Sequence, residues 1–220
     1  MKKKLLSIVL SLTLVIGCCA TFAPATVQAK KFKASKVKIV KFSPEYLMLP
    51  EDDIACKKVY LFINKNKQVA RVDVTVRYFK GKEEVHTDKF ACEISKIAYI
   101  GIGNIEESYD TYKVDISKVR KAKGVKQIKK KKVKITYKKT DVKGRKKVTI
   151  KNKSKSNGVF QIVNVFYNKK GKVVDMQCTH LLDIKKKKKK SDYLFFKAVT
   201  GLGSKIKYKK MKTFYNFIKY

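Results

Sequence analysis

Between residues 72 and 78 the chain alternates strictly: Val72, Val74, Val76 and Tyr78 are separated by Asp73, Thr75 and Arg77. Successive side chains of an extended chain point to opposite faces, so a two-residue period predicts a strand with one face in a core and one in water. Val37-Lys38-Ile39-Val40-Lys41-Phe42 alternates more loosely, and Lys134-Ile135-Thr136-Tyr137 repeats the habit. The apolar members are β-branched or aromatic, which suits a pleated, half-buried surface. Beyond residue 30 no long stripe at i, i+3, i+4, i+7 is accompanied by capping residues, so helices are not expected.

The strand pattern recurs. KKVYLFINKNKQVARVDVTVRYFKGKEEV (Lys57 to Val85) lines up with KKVTIKNKSKSNGVFQIVNVFYNKKGKVV (Lys146 to Val174). Each has a Lys-Lys-Val start, an Asn/Lys turn, a strand ending in two aromatics, and a Lys-Gly-Lys turn. Two copies of one β-unit are the simplest account. The expected fold is therefore all-β, two tandem β-sandwich units at residues 33–123 and 124–220 behind an N-terminal leader.

That leader, residues 1–29, has the layout of an export signal: lysines at 2, 3 and 4, an apolar core from Leu5 to about Gly17, and Val27 and Ala29 before a cut near Lys30. An alternative lies in Val15-Ile16-Gly17-Cys18, which resembles the lipobox of bacterial lipoproteins, with Cys18 as the residue that would be acylated. The apolar sequence that follows Cys18 is unlike a polar lipoprotein tether. Both readings place the protein outside the cytoplasmic membrane, secreted or associated with the cell envelope.

Charge is the next constraint. The 220 residues carry 55 Lys and Arg against 17 Asp and Glu, a net +38, which becomes 38 − 3 = +35 without Lys2, Lys3 and Lys4. Such a chain draws anionic partners from solution. Only Arg71, Arg77, Arg120 and Arg145 are arginine. The bias toward Lys, Asn, Ile and Tyr is what an AT-rich genome favours, so part of the charge reflects codons. Arginine's planar fork also grips phosphate and base edges at two points, so its scarcity counts against specific nucleic-acid readout. Two lysine runs stand out: Lys129, Lys130, Lys131 and Lys132, and Lys185, Lys186, Lys187, Lys188, Lys189 and Lys190. Each reads either as a solvated loop or as a device for anionic cell-wall polymers or anionic lipid headgroups, which need only point charges.

The piece VTIKNKSKSNGVFQIVNVFYNKKGKVVDMQCTHLLDIKKKKKKSDYLFF resembles the FxLYD-type module, an immunoglobulin-like β-sandwich of exported bacterial proteins. The likeness rests on the Asn152-Lys153-Ser154 turn, the aromatic pair Phe166-Tyr167, the Asn168 to Gly171 turn and Val173-Val174; a weaker copy runs from Val59 to Val85. Asn164 stands where the family has Phe, and Asn168 where it has Asp. The resemblance implies a sandwich with Lys185 to Lys190 in an inter-strand loop, and no enzymatic activity.

Catalytic and metal signatures are missing from the sequence itself. His86 and His180 have no metal-ligand spacing to each other or to cysteine, and no Cys/His/Asp set offers an oriented base for a nucleophile. The acid clusters Glu51-Asp52-Asp53, Glu83-Glu84 and Glu106-Glu107 with Asp110 lack the alternating oxygen ligands of a calcium loop. Gly101/Gly103 and Gly201/Gly203 lack the third glycine of a dinucleotide loop and are expected at bulges or turns. KIKYKKMKTFYNFIKY mixes lysine and aromatics as single-strand nucleic-acid binders do, but its alternation predicts an edge strand. Cys56 with Cys92 could form one disulfide, while free thiols at Cys56, Cys92 and Cys178 are the plainer reading. The expectation is an exported, non-enzymatic protein of the cell envelope that needs no cofactor.

Overall fold

The computed structural model describes residues 31–44, 58–103, 108–198 and 206–220. The leader with Cys18, the clusters Glu51-Asp52-Asp53 and Glu106-Glu107, Cys56, and Gly201 and Gly203 lie outside the described residues. The rest is β1 (Val37–Phe42), β2 (Lys58–Asn64), β3 (Ala70–Lys80), β4 (Glu83–Ile94), β5 (Ile97–Ile102), β6 (Thr111–Lys121) and β7 (Lys126–Gln127). There follow β8 (Val133–Lys139), β9 (Arg145–Asn152), β10 (Gly158–Tyr167), β11 (Val173–Cys178), β12 (Leu182–Ile184), β13 (Lys189–Phe195) and β14 (Lys210–Lys219). Two 3₁₀ turns, Ala34–Lys36 and Lys130–Lys132, precede β1 and β8, and no α-helix occurs among the described residues. The fold is all-β, as the periodicity predicts.

Every strand pairing is antiparallel, and the strands form four sheets: β1-β2-β5, β4-β3-β6, β13-β9-β8, and β11-β10-β14-β7 with β12 also on β10. Three cores separate them. Tyr60, Phe62, Val72, Val74, Val76 and Tyr78 pack β1-β2-β5 against β4-β3-β6. Val59, Leu61 and Ile97 meet Val163, Val165, Met176 and Phe214, joining β1-β2-β5 to β11-β10-β14. Val148, Ile150 and Leu194 meet Phe160, Ile162 and Phe217, joining β13-β9-β8 to the other side of β10-β14. Residues 32–220 thus make one compact unit of four layers.

The layer order follows from sequence period. In β2 both faces meet protein, and Val59-Tyr60-Leu61-Phe62 is buried without interruption; β10 is the same from Phe160 to Phe166. A strand covered on both sides reads as a continuous apolar run, whereas one side in water gives alternation. β3 and β9, in the two outer sheets, alternate. A polar clasp ties the two inner sheets: Ser95 N donates to Asn216 Oδ1 at 2.7 Å, and Phe217 N donates to Ser95 Oγ at 3.2 Å.

Two buried asparagines end β2 and β9. Asn64 Nδ2 donates to Gln68 O and Ile94 O, both at 2.8 Å, while its Oδ1 accepts from Asn66 N at 2.9 Å. Asn152 Nδ2 donates to Ser156 O (2.8 Å) and Ile184 O (3.0 Å), and its Oδ1 accepts from Ser154 N at 2.9 Å. These bonds set Asn64 against Asn152, one residue away from the register that matches the two Lys-Lys-Val starts.

Several local expectations are corrected. In the ending KIKYKKMKTFYNFIKY, Ile206 and Tyr208 precede β14 instead of alternating along it, and β14 pairs with β10 from Lys210 to Ile218 while β7 covers only Ile218 and Lys219 on its other side, so the strand is an edge over most of its length. Its lysine-aromatic mixture reflects one wet end and one core, where Phe214, Phe217 and Ile218 are buried. Gly101 is in an unbroken β2-β5 ladder opposite Val59, not in a bulge. Asn164, at the position where the FxLYD resemblance expects Phe, is buried and satisfied: Nδ2 donates to Phe195 O at 2.8 Å and Oδ1 accepts from Thr213 Oγ1 at 2.7 Å.

Candidate functional site

Both lysine runs meet at the last residues of β9. Asn152 N donates to Lys188 O at 2.9 Å, and the next residue, Lys153, donates through its N to Lys132 O at 2.8 Å. The run Lys129 to Lys132 forms the 3₁₀ turn leading into β8 and the run Lys185 to Lys190 leads into β13, so β9 between them brings the two to one end of the outer sheet. Lys151, Lys153 and Lys155 lie at that end too.

The second run is not wholly a loop. Lys185 to Lys188 form a tight turn, with Lys188 N donating to Lys185 O at 3.1 Å and Lys187 at φ 61°. Asn157 Oδ1 holds the turn from below by accepting from Lys186 N at 3.0 Å. Lys189 and Lys190 already pair with Lys151 and Ile150 in the β13-β9 ladder. The cause is β13 itself, whose pairing with β9 continues through Lys189 until the turn begins.

All ten lysines of the two runs are exposed, and among the described residues none pairs with a carboxylate. Lys130 Nζ rests 4.2 Å from the centre of the Tyr215 ring, where the ring face offsets part of its charge. The imbalance is regional. Residues 124–220 hold 31 Lys and Arg against 4 Asp, whereas residues 1–123 hold 24 against 13 acids. Two of those four aspartates are engaged elsewhere: Asp175 is buried, and Asp192 accepts from His180 N at 2.6 Å and lies 3.0 Å from His180 Nδ1.

Arginine is used differently. Arg71 pairs with Asp73 and Glu93, Arg120 with Asp73, Arg77 with Asp115 and Arg145 with Asp141. Burial disfavours the Asp73 charge, but hydrogen bonds and charge from Arg120 and Arg71 outweigh it and hold the carboxyl below its usual range. The forked cations thus neutralise the fold's own acids, joined by Lys113 on Asp115, while both lysine runs are left to solvent.

Nothing assembled here resembles a catalytic set. His86, in β4, has its Nε2 3.1 Å from Asp88 Oδ1, whereas His180 lies in the loop between β11 and β12, and no three His, Cys, Asp or Glu residues cluster among the described residues. A groove of about 830 Å³ beside β1 and β11 is lined by Lys38, Lys41, Phe42, Tyr167 and Val173 among others, with no histidine, cysteine or carboxylate in its wall. Cys92 carries a free thiol, pushed up to about 11 by burial and then by the Asp73 charge, so it is a poor nucleophile at neutral pH. Cys178 Sγ lies 3.0 Å from Tyr99 Oη.

The runs are plain in the sequence, whereas Lys134, Lys147 and Lys151, exposed on β8 and β9, lie outside both of them. The signal is the alternation Lys147-Val148-Thr149-Ile150-Lys151, whose buried members are Val148 and Ile150. A scan of the chain against protein-family models finds no match, and a search of curated proteins finds none.

Proposed function

We propose that the chain is an exported, non-enzymatic protein of the cell envelope, built from two immunoglobulin-like units of the FxLYD type, which associates electrostatically with anionic envelope polymers. The like strand orders β1-β2-β5 and β8-β9-β13, together with the matching asparagine corners, support two copies of one unit. The observation that carries the binding reading is the convergence of the two lysine runs on Asn152 and Lys153, with none of their ammonium groups in an ion pair among the described residues. Ammonium groups crowded at one end of a rigid sheet repel each other in the free protein, and a polyanion relieves that repulsion while releasing its counterions.

The test compares the protein with a variant in which Lys185 to Lys190 are all Gln, on isolated cell walls with and without their phosphate polymers, from low to physiological salt. If about three of the six lysines engage the polymer, the slope of log affinity against log salt becomes shallower by roughly two to three, borrowing the nucleic-acid coefficient. Binding to stripped walls should be weak for both proteins. Equal affinity and slope for the two proteins would reduce the run to a solvated turn.

A further inference from the structure

The molecule has two outer sheets, and their solvent faces differ in kind. Along β3 the outward residues are Arg71, Asp73, Thr75 and Arg77, flanked across the ladder by Glu93 and Arg120, Lys118, Lys89 and Asp115, and Lys113. Six cations there are interleaved with three carboxylates in a lattice of ion pairs. Along β9 the outward residues are Lys147, Thr149 and Lys151. Lys151 is flanked by Lys134 and Lys189, Thr149 by Thr136 and Ser191, and Lys147 by Lys138 and Tyr193. This face holds five lysines, a central row of three hydroxyls, one tyrosine ring and no carboxylate among these residues; Arg145, next along β9, pairs with Asp141 of the β8-β9 turn.

Exposure alone accounts for polar residues on both faces. It does not account for one face carrying carboxylates in ion pairs among its cations while the row from Lys147 to Lys151 and its neighbours carries lysines alone. Counted from the asparagine corners, the positions of Lys147, Thr149 and Lys151 correspond to Val59, Leu61 and Ile63 in β2, which lie against the neighbouring layer. A face relieved of covering has therefore been filled with cations and hydroxyls rather than with paired charges.

We infer that the outward face of β8-β9-β13 is the surface on which the polyanion lies, and that its ligand is a linear phosphodiester polymer with free hydroxyls or sugars between its phosphates. This rests on the polyanion reading above and assigns the face and the ligand class. Neighbouring strands stand about 4.8 Å apart, so the row Lys134, Lys151, Lys189 offers a cation at each strand, while residues two apart along a strand lie about 6.7 Å apart. The hydroxyl row is one such step from each lysine row. Thr149 Oγ1 and Ser191 Oγ share a 2.7 Å bond that uses one of their two hydrogens and leaves the other to a ligand. Tyr193, about half exposed and backed by Arg145 4.8 Å from its ring centre, adds a flat apolar surface of the kind a sugar or polyol covers. A carboxylate homopolymer would leave the hydroxyls and the ring unused. A single-stranded nucleic acid would want several aromatic platforms, and the face offers one.

The deciding experiment matches charge for charge. One variant carries Lys134→Gln, Lys147→Gln and Lys151→Gln, which leaves both lysine runs intact; the control carries Lys89→Gln, Lys113→Gln and Lys118→Gln on the opposite outer face. Melting curves confirm that both fold. The probes are poly(glycerol phosphate), polyglutamate and oligo-dT, each titrated from low to physiological salt. The face variant is expected to lose at least tenfold in affinity for poly(glycerol phosphate), with a salt slope shallower by roughly two to three, while the control loses under threefold. Equal losses in the two variants would overturn the face assignment and leave the general electrostatic reading standing. Wild-type binding to polyglutamate or oligo-dT as tight as to poly(glycerol phosphate) would overturn the ligand class. No binding of wild type to any of the three would end the polyanion reading itself.

Discussion

Asn64 and Asn152 stand at the ends of β2 and β9 and make the same three side-chain bonds: two donated to carbonyls, at the fourth residue onward and at the end of a later strand, and one accepted from the amide two residues on. Each side chain closes a corner where the chain leaves one sheet for the next, and each is buried.

Asn152→Ala is expected to destabilise the fold by about 2–3 kcal/mol, since Ile184 O and Ser154 N lose a partner and an unsatisfied buried group costs about 1–3 kcal/mol. Urea midpoints read the loss. Asn64→Ala should cost a similar amount, and a change below about 0.5 kcal/mol in either would show that the corner is held by its backbone bonds alone.

Gly158 opens β10 where Ala70 opens β3. A methyl group at Gly158 would stand 2.5 Å from Ile218 O and 2.6 Å from Ile128 Cδ1. The carbonyl belongs to the β14 ladder and cannot retreat without breaking it, so Gly158→Ala is expected to cost about 2 kcal/mol or more. Thermal denaturation measures it; a neutral result would mean that β14 shifts freely against β10.

Lys187 holds a left-handed conformation at φ 61°, which a side chain adopts at a cost and glycine adopts freely. Lys187→Gly is expected to raise stability by up to about 1 kcal/mol, measured by chemical denaturation, whereas Lys186→Gly in the same turn should not. The contrast separates backbone strain from the relief of charge that both changes bring.

Cys92 sets a pH dependence. Its thiol titrates near 11 in the folded protein, against about 8.5 for a free cysteine. A raised pKa favours the neutral form on folding, so this contribution is complete below about pH 8.5 and is lost as pH rises toward 11. Melting temperatures of wild type and Cys92→Ala should differ by a constant amount up to about pH 8 and converge above it, the lysines titrating alike in both. Curves parallel to pH 11 would show the thiol to be solvated.

Strand identity and the all-β class were legible because β3 and β9 alternate and their apolar members are β-branched or aromatic. The order of layers was latent in the same pattern: Val59-Tyr60-Leu61-Phe62 and the run through β10 are too continuous for strands with a wet face. What the chain hides is which sheet covers them. The clasp of Ser95 on Asn216 and the packing of Leu61 near Val165 join residues about half the chain apart, and no local period records such a meeting. The lysine runs were equally plain as runs, yet their convergence depends on β9 pairing with β8 on one side and β13 on the other. Asn152 read only as a turn residue, because a strand-ending asparagine looks the same whether it faces water or two carbonyls.

The stacking of layers is open-ended in principle, since the sheet β1-β2-β5 shows that such a surface can be buried under a further sheet when Val59, Leu61 and Ile63 line it. At the corresponding place on β9 stand Lys147, Thr149 and Lys151, and a further sheet laid there would have to strip water from unpaired ammonium groups. The lysine face therefore closes that side of the stack to a further layer. Exchanging its lysines for valine and isoleucine would remove that stop, and two copies of the protein would then meet face to face through β8-β9-β13 as the layers inside one copy already do, a closed pair whose two outer faces are the charged β4-β3-β6 sheets.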